Sequence, residues 1–248
     1  MEVPDKSSSR ARAGRFATTH WSVVLAARDG DSSTSVAALE RLCRSYWQPV
    51  YAYLRRDGHS PEDAQDLTQE FLSRLVHKDW LAHLQDQRGR FRSFLLTFLK
   101  HFLSDQRQRA KRLKRGGGRA LVSLDAFEEE DRAKFEPVDG LTADQTYERR
   151  WAQAVMAQAA ARLREDYAAR GKLALFDQLK DLQPGEAGKR SYAQIGAELG
   201  LSEQAIKNAV HALRGRHREI LRDEIAHTVR DRGEIDGEIQ HLMRVFGG

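Results

Sequence analysis

The chain has a single cysteine, Cys43, in 248 residues. That excludes an internal disulfide and a cysteine-based metal site, and a reducing cytoplasmic setting is expected. Cys43 falls in a helical pattern with apolar neighbours, which predicts a packing role for its thiol. No apolar run approaches the ~18 residues of a membrane span. The stretch Met1 to Arg15 is rich in Ser and Arg and holds no apolar core. It therefore reads as a disordered tail over 1–15, not as a secretory signal. Strand-like alternation of apolar and polar residues is absent as well. Catalytic arrangements are equally scarce. Gly116, Gly117 and Gly118 follow no strand and lead into no Gly-Lys-Ser/Thr helix start, so they are not a phosphate loop. His77 and His83 lack the helical spacing and acidic companion of a zinc-protease motif. The nine histidines are scattered. Carboxylate pairs sit on helices equally rich in bases, where solvated ion pairing explains them. No enzyme activity, metal or cofactor is expected.

Helical periodicity is what the chain has in abundance. The segment Ser191 to Val210 reads as a helix-turn-helix. Ser191 and Gln194 form a capping box that opens the first helix. Ile195 and Leu199 share a face. Gly196 is small enough for a close helix crossing. Gly200 ends the helix where a left-handed conformation is cheap. Leu201 is expected to plug the corner, and Ser202 caps the second helix. Ile206, Val210 and Leu213 form the inner face of that second helix. Gln204, Lys207, Asn208, His211 and Arg214 form an outer stripe, polar and basic, as a major-groove reader requires. The same pattern also describes a plain helical hairpin.

Elsewhere, a helix is expected near Trp21 to Arg28 and another from Ser35 to Arg56, kinked at Pro49. Ser60-Pro61-Glu62-Asp63 is a helix start: a cap, proline at the first position, then acids against the positive end of the dipole. That helix runs to about Val76, with a looser stretch from His77 to Gly89. The next runs from Phe91 to about Lys114, with Phe91, Phe94, Leu95, Phe98 and Phe102 on one side, a core stripe. Residues 121–141 are acidic and irregular and read as a linker. Thr142 and Gln145 form a second capping box, and a long helix follows through Trp151, Val155 and Leu163. A short helix spans Lys172 to Leu182. A final amphipathic helix runs from Ile235 to Phe246. The expected fold is all-α. Two helical domains, 16–120 and 142–230, flank the linker, and 231–248 form a C-terminal helical extension.

Charge is distributed unevenly. The formal net charge is +5, which suits a polyanion. Between Arg88 and Arg119 lie eleven Lys and Arg residues and a single acid, Asp105. Arg107, Arg109, Lys111, Arg112, Lys114 and Arg115 crowd one helix end. The helix dipole favours one or two cations there; six point to phosphate neutralisation.

These segments together resemble a bacterial RNA polymerase sigma factor of the extracytoplasmic-function type. Asp63-Ala-Gln-Asp-Leu-Thr-Gln-Glu-Phe-Leu-Ser-Arg-Leu75 is similar to that family's region 2.2. Arg90 to Arg107 is similar to regions 2.3 and 2.4, and the helix-turn-helix falls where region 4 stands. The resemblance implies two partners: RNA polymerase core, at the clamp of its largest subunit, and promoter DNA. It also admits an anti-sigma protein. Asp66, Gln69 and Glu70 are the implied polymerase contacts. Arg107, Arg109, Lys111 and Arg112 are the implied contacts to the minus-ten region. Gln204, Lys207, Asn208, His211 and Arg214 are the implied readers of the minus-thirty-five element. The sequence departs from the family at His101, where asparagine is common. The segment before Phe91 is longer than usual, and the chain continues beyond region 4.

Two other readings use the same residues. One is a stand-alone helix-turn-helix regulator. The other is a protein-binding regulator with a sigma-like shape. All three share the linker, so limited proteolysis is expected to cut first between Leu121 and Leu141. A protease-resistant fragment spanning that segment would overturn the division into two halves.

Overall fold

A computed structural model describes residues 33–76, 90–113, 140–180, 182, 191–229 and 231–247. Described side chains begin at Ser45 in the first helix and stop at Arg109 in the third. The expected tail (1–15), the helix near Trp21, the Cys43 side chain, the stretch 77–89, the triglycine and nearly all of the acidic segment 121–141 lie outside the described residues. Among the described residues every regular element is helical, as the periodicity predicts. In chain order these are α1 (Ser33–Arg56), α2 (Pro61–Val76), α3 (Phe91–Leu113), α4 (Ala143–Ala169), α5 (Leu173–Leu179), α6 (Tyr192–Leu199), α7 (Glu203–Ala226) and α8 (Ile235–Gly247). A 3-10 turn at Arg232–Glu234 precedes α8.

The helix starts follow the caps. The Ser60 hydroxyl accepts from the Asp63 N–H at 3.1 Å, and Glu62 and Asp63 fill the first turn of α2. Thr142 with Gln145, and Ser191 with Gln194, make reciprocal capping boxes at α4 and α6. Each satisfies amide donors that a helix start otherwise leaves orphaned. Helix α1 continues through Pro49, whose side chain is buried.

Aromatic residues build the N-terminal core. Phe71 of α2 meets Phe98 and Phe102 of α3 at ring-centroid distances of 5.1 and 5.5 Å. Tyr46 of α1 meets Phe91 edge-on at 5.0 Å. Helix α4 then lies along α1 with one part of its length and along α7 with another. Its buried residues, Tyr147, Trp151, Val155, Ala159, Leu163 and Tyr167, recur every four residues. A four-residue step overshoots the 3.6-residue turn, so this apolar stripe winds gradually around the helix. The buried core is consequently continuous from Tyr46 to Leu242.

The α6–α7 connection is the tightest in the chain. Gly200 adopts φ +66°, a left-handed conformation that costs glycine little. Its N–H and that of Leu201 both turn back to the Gly196 carbonyl. The Ser202 hydroxyl then caps α7 at Ala205. One expectation needs correction: the Leu201 side chain does not plug the corner but is 43% exposed. Backbone occupies the corner instead. A Cβ added to Gly196 would sit 2.5 Å from the Leu201 carbonyl oxygen. Ile195 and Ile206 fill the apolar space beneath it. Gly196→Ala is therefore expected to destabilise the chain. Overpacking costs about 1–3 kcal/mol, against a gain of ~1 kcal/mol from alanine's better helix propensity. Thermal unfolding should show a midpoint lowered by several degrees; an unchanged or raised midpoint would mean that α6 and α7 can separate without penalty.

Candidate functional site

The outward side of α2 carries the first set of predicted contacts. Ala64, Phe71, Leu72 and Leu75 face the core. Asp66 is exposed, whereas Gln69 and Glu70 are half-buried. Glu70 is ion-paired with Arg74, one turn on. Arg74 in turn lies over the Phe102 ring at 4.9 Å. The carboxylate of Glu70 is thus balanced within the fold, and Asp66 presents its charge outward.

Helix α3 separates its two faces cleanly. Phe91, Leu95, Phe98, Leu99 and Phe102 are buried. Lys100, His101, Ser104, Asp105, Arg107, Gln108 and Arg109 are exposed. Arg107, 62% exposed, reaches Asp57 at 2.5 Å. Lys100 reaches Asp144 at 2.6 Å. Such surface pairs contribute about 0–1 kcal/mol, so a phosphate can displace either acid. Arg107 and Arg109 thus stand together as an accessible cationic end; the side chains of Lys111 and Arg112 lie outside the described residues.

On α7 the outer stripe divides. Gln204, Lys207, Asn208 and His211 are exposed. The Gln204 amide donates to the Asn208 side-chain oxygen at 3.1 Å, and Lys207 pairs with Glu203 at 2.7 Å. Arg214 differs: it is half-buried, and its guanidinium donates to the Leu182 carbonyl at 3.1 Å. It ties α7 to the chain just after α5. Beyond it, Arg216 bridges to Asp166 of α4 at 3.0 Å. The hydrogen bond from Arg216 is the chief cause holding the Asp166 carboxyl below its ordinary pKa.

The sequence reading missed a third cluster, where α3, α4 and α8 meet. Arg92 is only 4% exposed and Glu238 is 0% exposed. Arg92 Nε donates to Glu238 Oε1 at 2.9 Å and its Nη2 approaches Oε2 at 3.3 Å. Its Nη1 donates to Glu148 of α4. Arg90 Nε reaches the same Glu238 at 3.0 Å. His241 Nε2 lies 2.9 Å from Glu148. The Tyr147 hydroxyl donates to the Arg92 carbonyl at 3.1 Å, and the Arg92 guanidinium stacks on Trp151 at 4.9 Å. Burial opposes the charge on Arg92, but the hydrogen bond to Glu238 and the fields of both glutamates outweigh it. The guanidinium pKa stays above its ordinary value. Burial likewise pushes the Tyr46 and Tyr147 phenols up. Two carboxylates balance two guanidinium groups, which is the condition for burying charge at all. A signal for this cluster exists in the sequence. Ile235, Glu238 and Leu242 fall on one face of an amphipathic helix, so an acid occupies an inward position.

Residues 42–113 match the family model of sigma-70 region 2. The matched segment ends at the last residue of α3. It covers less than a third of the chain and contains the acidic side of α2 and the cationic face of α3. A search of curated proteins and a search of solved structures each found no match. The match supports a sigma-70 family factor and a role in transcription initiation; a sigma-70 region 2 implies binding to RNA polymerase core and promoter DNA. Among the described residues no group of three or more His, Cys, Asp or Glu is placed to hold a metal ion. No described helix is long and apolar enough to cross a membrane.

The two kinds of cation on α7 should separate in stability measurements. Lys207→Ala removes an exposed one-turn ion pair and is expected to change stability by less than about 0.5 kcal/mol. Arg214→Ala removes a half-buried charged donor from a carbonyl and is expected to cost about 1–2 kcal/mol. Urea unfolding would show this as a lower midpoint at unchanged slope for Arg214→Ala alone. Equal midpoints for both variants would mean that the Arg214–Leu182 hydrogen bond contributes nothing.

Proposed function

We propose that the chain is a promoter-specificity subunit of RNA polymerase, a sigma factor of the extracytoplasmic-function type that works in the cytoplasm. The observation that carries this reading is the region 2 match on three helices whose opposite jobs are visible in the sequence. One presents Asp66 to a basic protein surface; the next presents Arg107 and Arg109 to phosphate. In this reading residues 16–120 form the region 2 domain and 121–141 the connector. Residues 142–230 form a region 4-like domain, and α6 with α7 is a helix-turn-helix. Its support is local. Capping at Ser191, the left-handed Gly200 and capping at Ser202 set the second helix with Gln204, Lys207, Asn208 and His211 outward. Arg and Lys pair well with guanine, Asn and Gln with adenine. Lys111 and Arg112 extend the phosphate grip of α3, and Gln69 and Glu70 extend the polymerase-binding side of α2. Arg214, a reader by its place in the stripe, is held by the Leu182 carbonyl at the edge of that stripe.

Initiation requires that one chain hold polymerase and promoter together. A reconstituted run-off reaction with core enzyme tests that directly: transcripts that depend on this chain support the reading. Specific duplex binding without polymerase would favour a stand-alone regulator. Core binding without any promoter-dependent transcript would favour a protein-binding regulator.

The residues can be tested individually. Asp66→Arg with Glu70→Arg is expected to weaken core binding about tenfold or more, since reversed charge at an interface acts against association. Asp66→Arg should carry most of that effect, because Glu70 is already neutralised by Arg74. A pull-down titration with unchanged affinity would remove α2 from the polymerase interface. Alanine at Arg107, Arg109, Lys111 and Arg112 should lower the salt slope of promoter binding by the holoenzyme. The decrease should be about 0.9 for each duplex phosphate that is no longer neutralised.

A further inference from the structure

The C-terminal helix α8 is tied to the start of α3 by buried ion pairs. Its Glu238 meets Arg90 and Arg92, the two cations that flank the first residue of α3. The Phe91 N–H donates to the Thr228 carbonyl, just past α7, at 3.2 Å. Ile235 and Leu242 are buried on the same face of α8 as Glu238. Gly237 lets Arg90 come close: a Cβ there would meet its Nη2 at 2.6 Å. On the outer side Asp236 pairs with Arg222 of α7.

Apolar residues of similar volume can fill such a site as stably as a buried ion pair does. A carboxylate adds something that an apolar plug does not: it leaves two cations that another anion can take over. Helix α3 is also the helix whose exposed face carries Lys100, Arg107 and Arg109. With α8 seated, Arg90 and Arg92 are neutralised. With α8 gone, Arg90 would extend that cationic surface to the N-terminal end of the helix, and Arg92 would keep only Glu148 of α4 as a partner.

We propose that α8 is an autoinhibitory latch: Glu238 occupies Arg90 and Arg92 where nucleic-acid phosphate would otherwise sit, and its departure opens the start of α3 to single-stranded promoter DNA. The DNA rests on the sigma-factor reading; the latch itself rests on the buried ion cluster. Release frees Arg90 and removes one of the two carboxylates that hold Arg92, whose pair with Glu148 of α4 remains; each phosphate newly engaged on a single strand should steepen the salt dependence of binding by about 0.7.

The test uses the full chain. Glu238→Gln keeps the shape of the side chain and removes its charge. Gly237→Ala displaces only the flexible end of Arg90 and serves as the second variant should Glu238→Gln lose helical circular dichroism. Three readouts are taken: hydrogen exchange across 235–247, affinity for a single-stranded oligonucleotide against salt, and run-off transcription with core enzyme. The expected result is faster exchange in α8, roughly tenfold tighter oligonucleotide binding at low salt and a steeper salt slope. Unchanged affinity in a folded variant would overturn the latch, as would tighter binding at an unchanged slope. If the oligonucleotide arm succeeds while neither wild type nor variant supports transcription, the latch stands and the sigma-factor reading falls.

Discussion

A carboxylate taken wholly out of water needs partners that replace its solvation, and Arg92 and Arg90 supply them to Glu238. Much of the rest of the arrangement is set by that requirement. Taking an ion out of water costs several kcal/mol even after the protein relaxes, and removing one partner of such a pair typically costs about 3–5 kcal/mol. The pair therefore fixes where α8 can sit, because a shift of one residue would point Glu238 away from both guanidinium groups. It also fixes the start of α3, since Arg92 must bring its fork to Glu238 on one side and Glu148 on the other. The Trp151 ring closes a third side of that guanidinium.

Helix α4 transmits this constraint. At 27 residues it is about 40 Å long. Toward its N-terminal end, Tyr147, Glu148 and Trp151 engage Arg92, beside Tyr46 of α1. Toward its C-terminal end, Arg162 pairs with Glu224 and Asp166 with Arg216, both on α7. The region 2 helices and the α6–α7 pair are thereby attached to opposite ends of one strut. At the N-terminal end of that strut, charge and not apolar area alone opposes separation, because Arg92 bridges Glu148 of α4 and Glu238 of α8.

Local rules made the helices legible. Ser60, Thr142, Ser191 and Ser202 each gave a start that the structure keeps, because a cap is decided by a few adjacent residues. The phenylalanine stripe of α3 and the exposure of Gln204, Lys207, Asn208 and His211 follow from the 3.6-residue period. What sequence could not supply was the pairing of distant charges. Arg90 and Arg92 counted as members of a basic run; only the fold brings Glu238 to them from 146 residues beyond Arg92. Arg214 lay in register with its stripe, yet the carbonyl of Leu182, 32 residues away, captures it. Leu201 is apolar and so suits the corner by residue type, whereas the backbone geometry around Gly196 and Gly200 fills that corner itself.

The same contrast explains why a count of cations is a poor guide to a phosphate-binding surface. A cation is available to DNA only if the carboxylate it leaves behind can return to water at little cost. Asp57 is near the surface, so Arg107 can exchange it for phosphate with a small change in free energy. Glu238 has no such access while α8 remains seated, so Arg92 is withheld however favourable the phosphate. Among the described side chains between Arg88 and Arg119, Arg107 meets the first limit and Arg92 the second. The exposed end of α3 keeps Arg107 and Arg109 open to solvent, whereas Arg92 at its start is buried against Glu238 and Glu148. Under the proposed latch, the buried carboxylate, more than the density of positive charge, would set how much of α3 nucleic acid can reach.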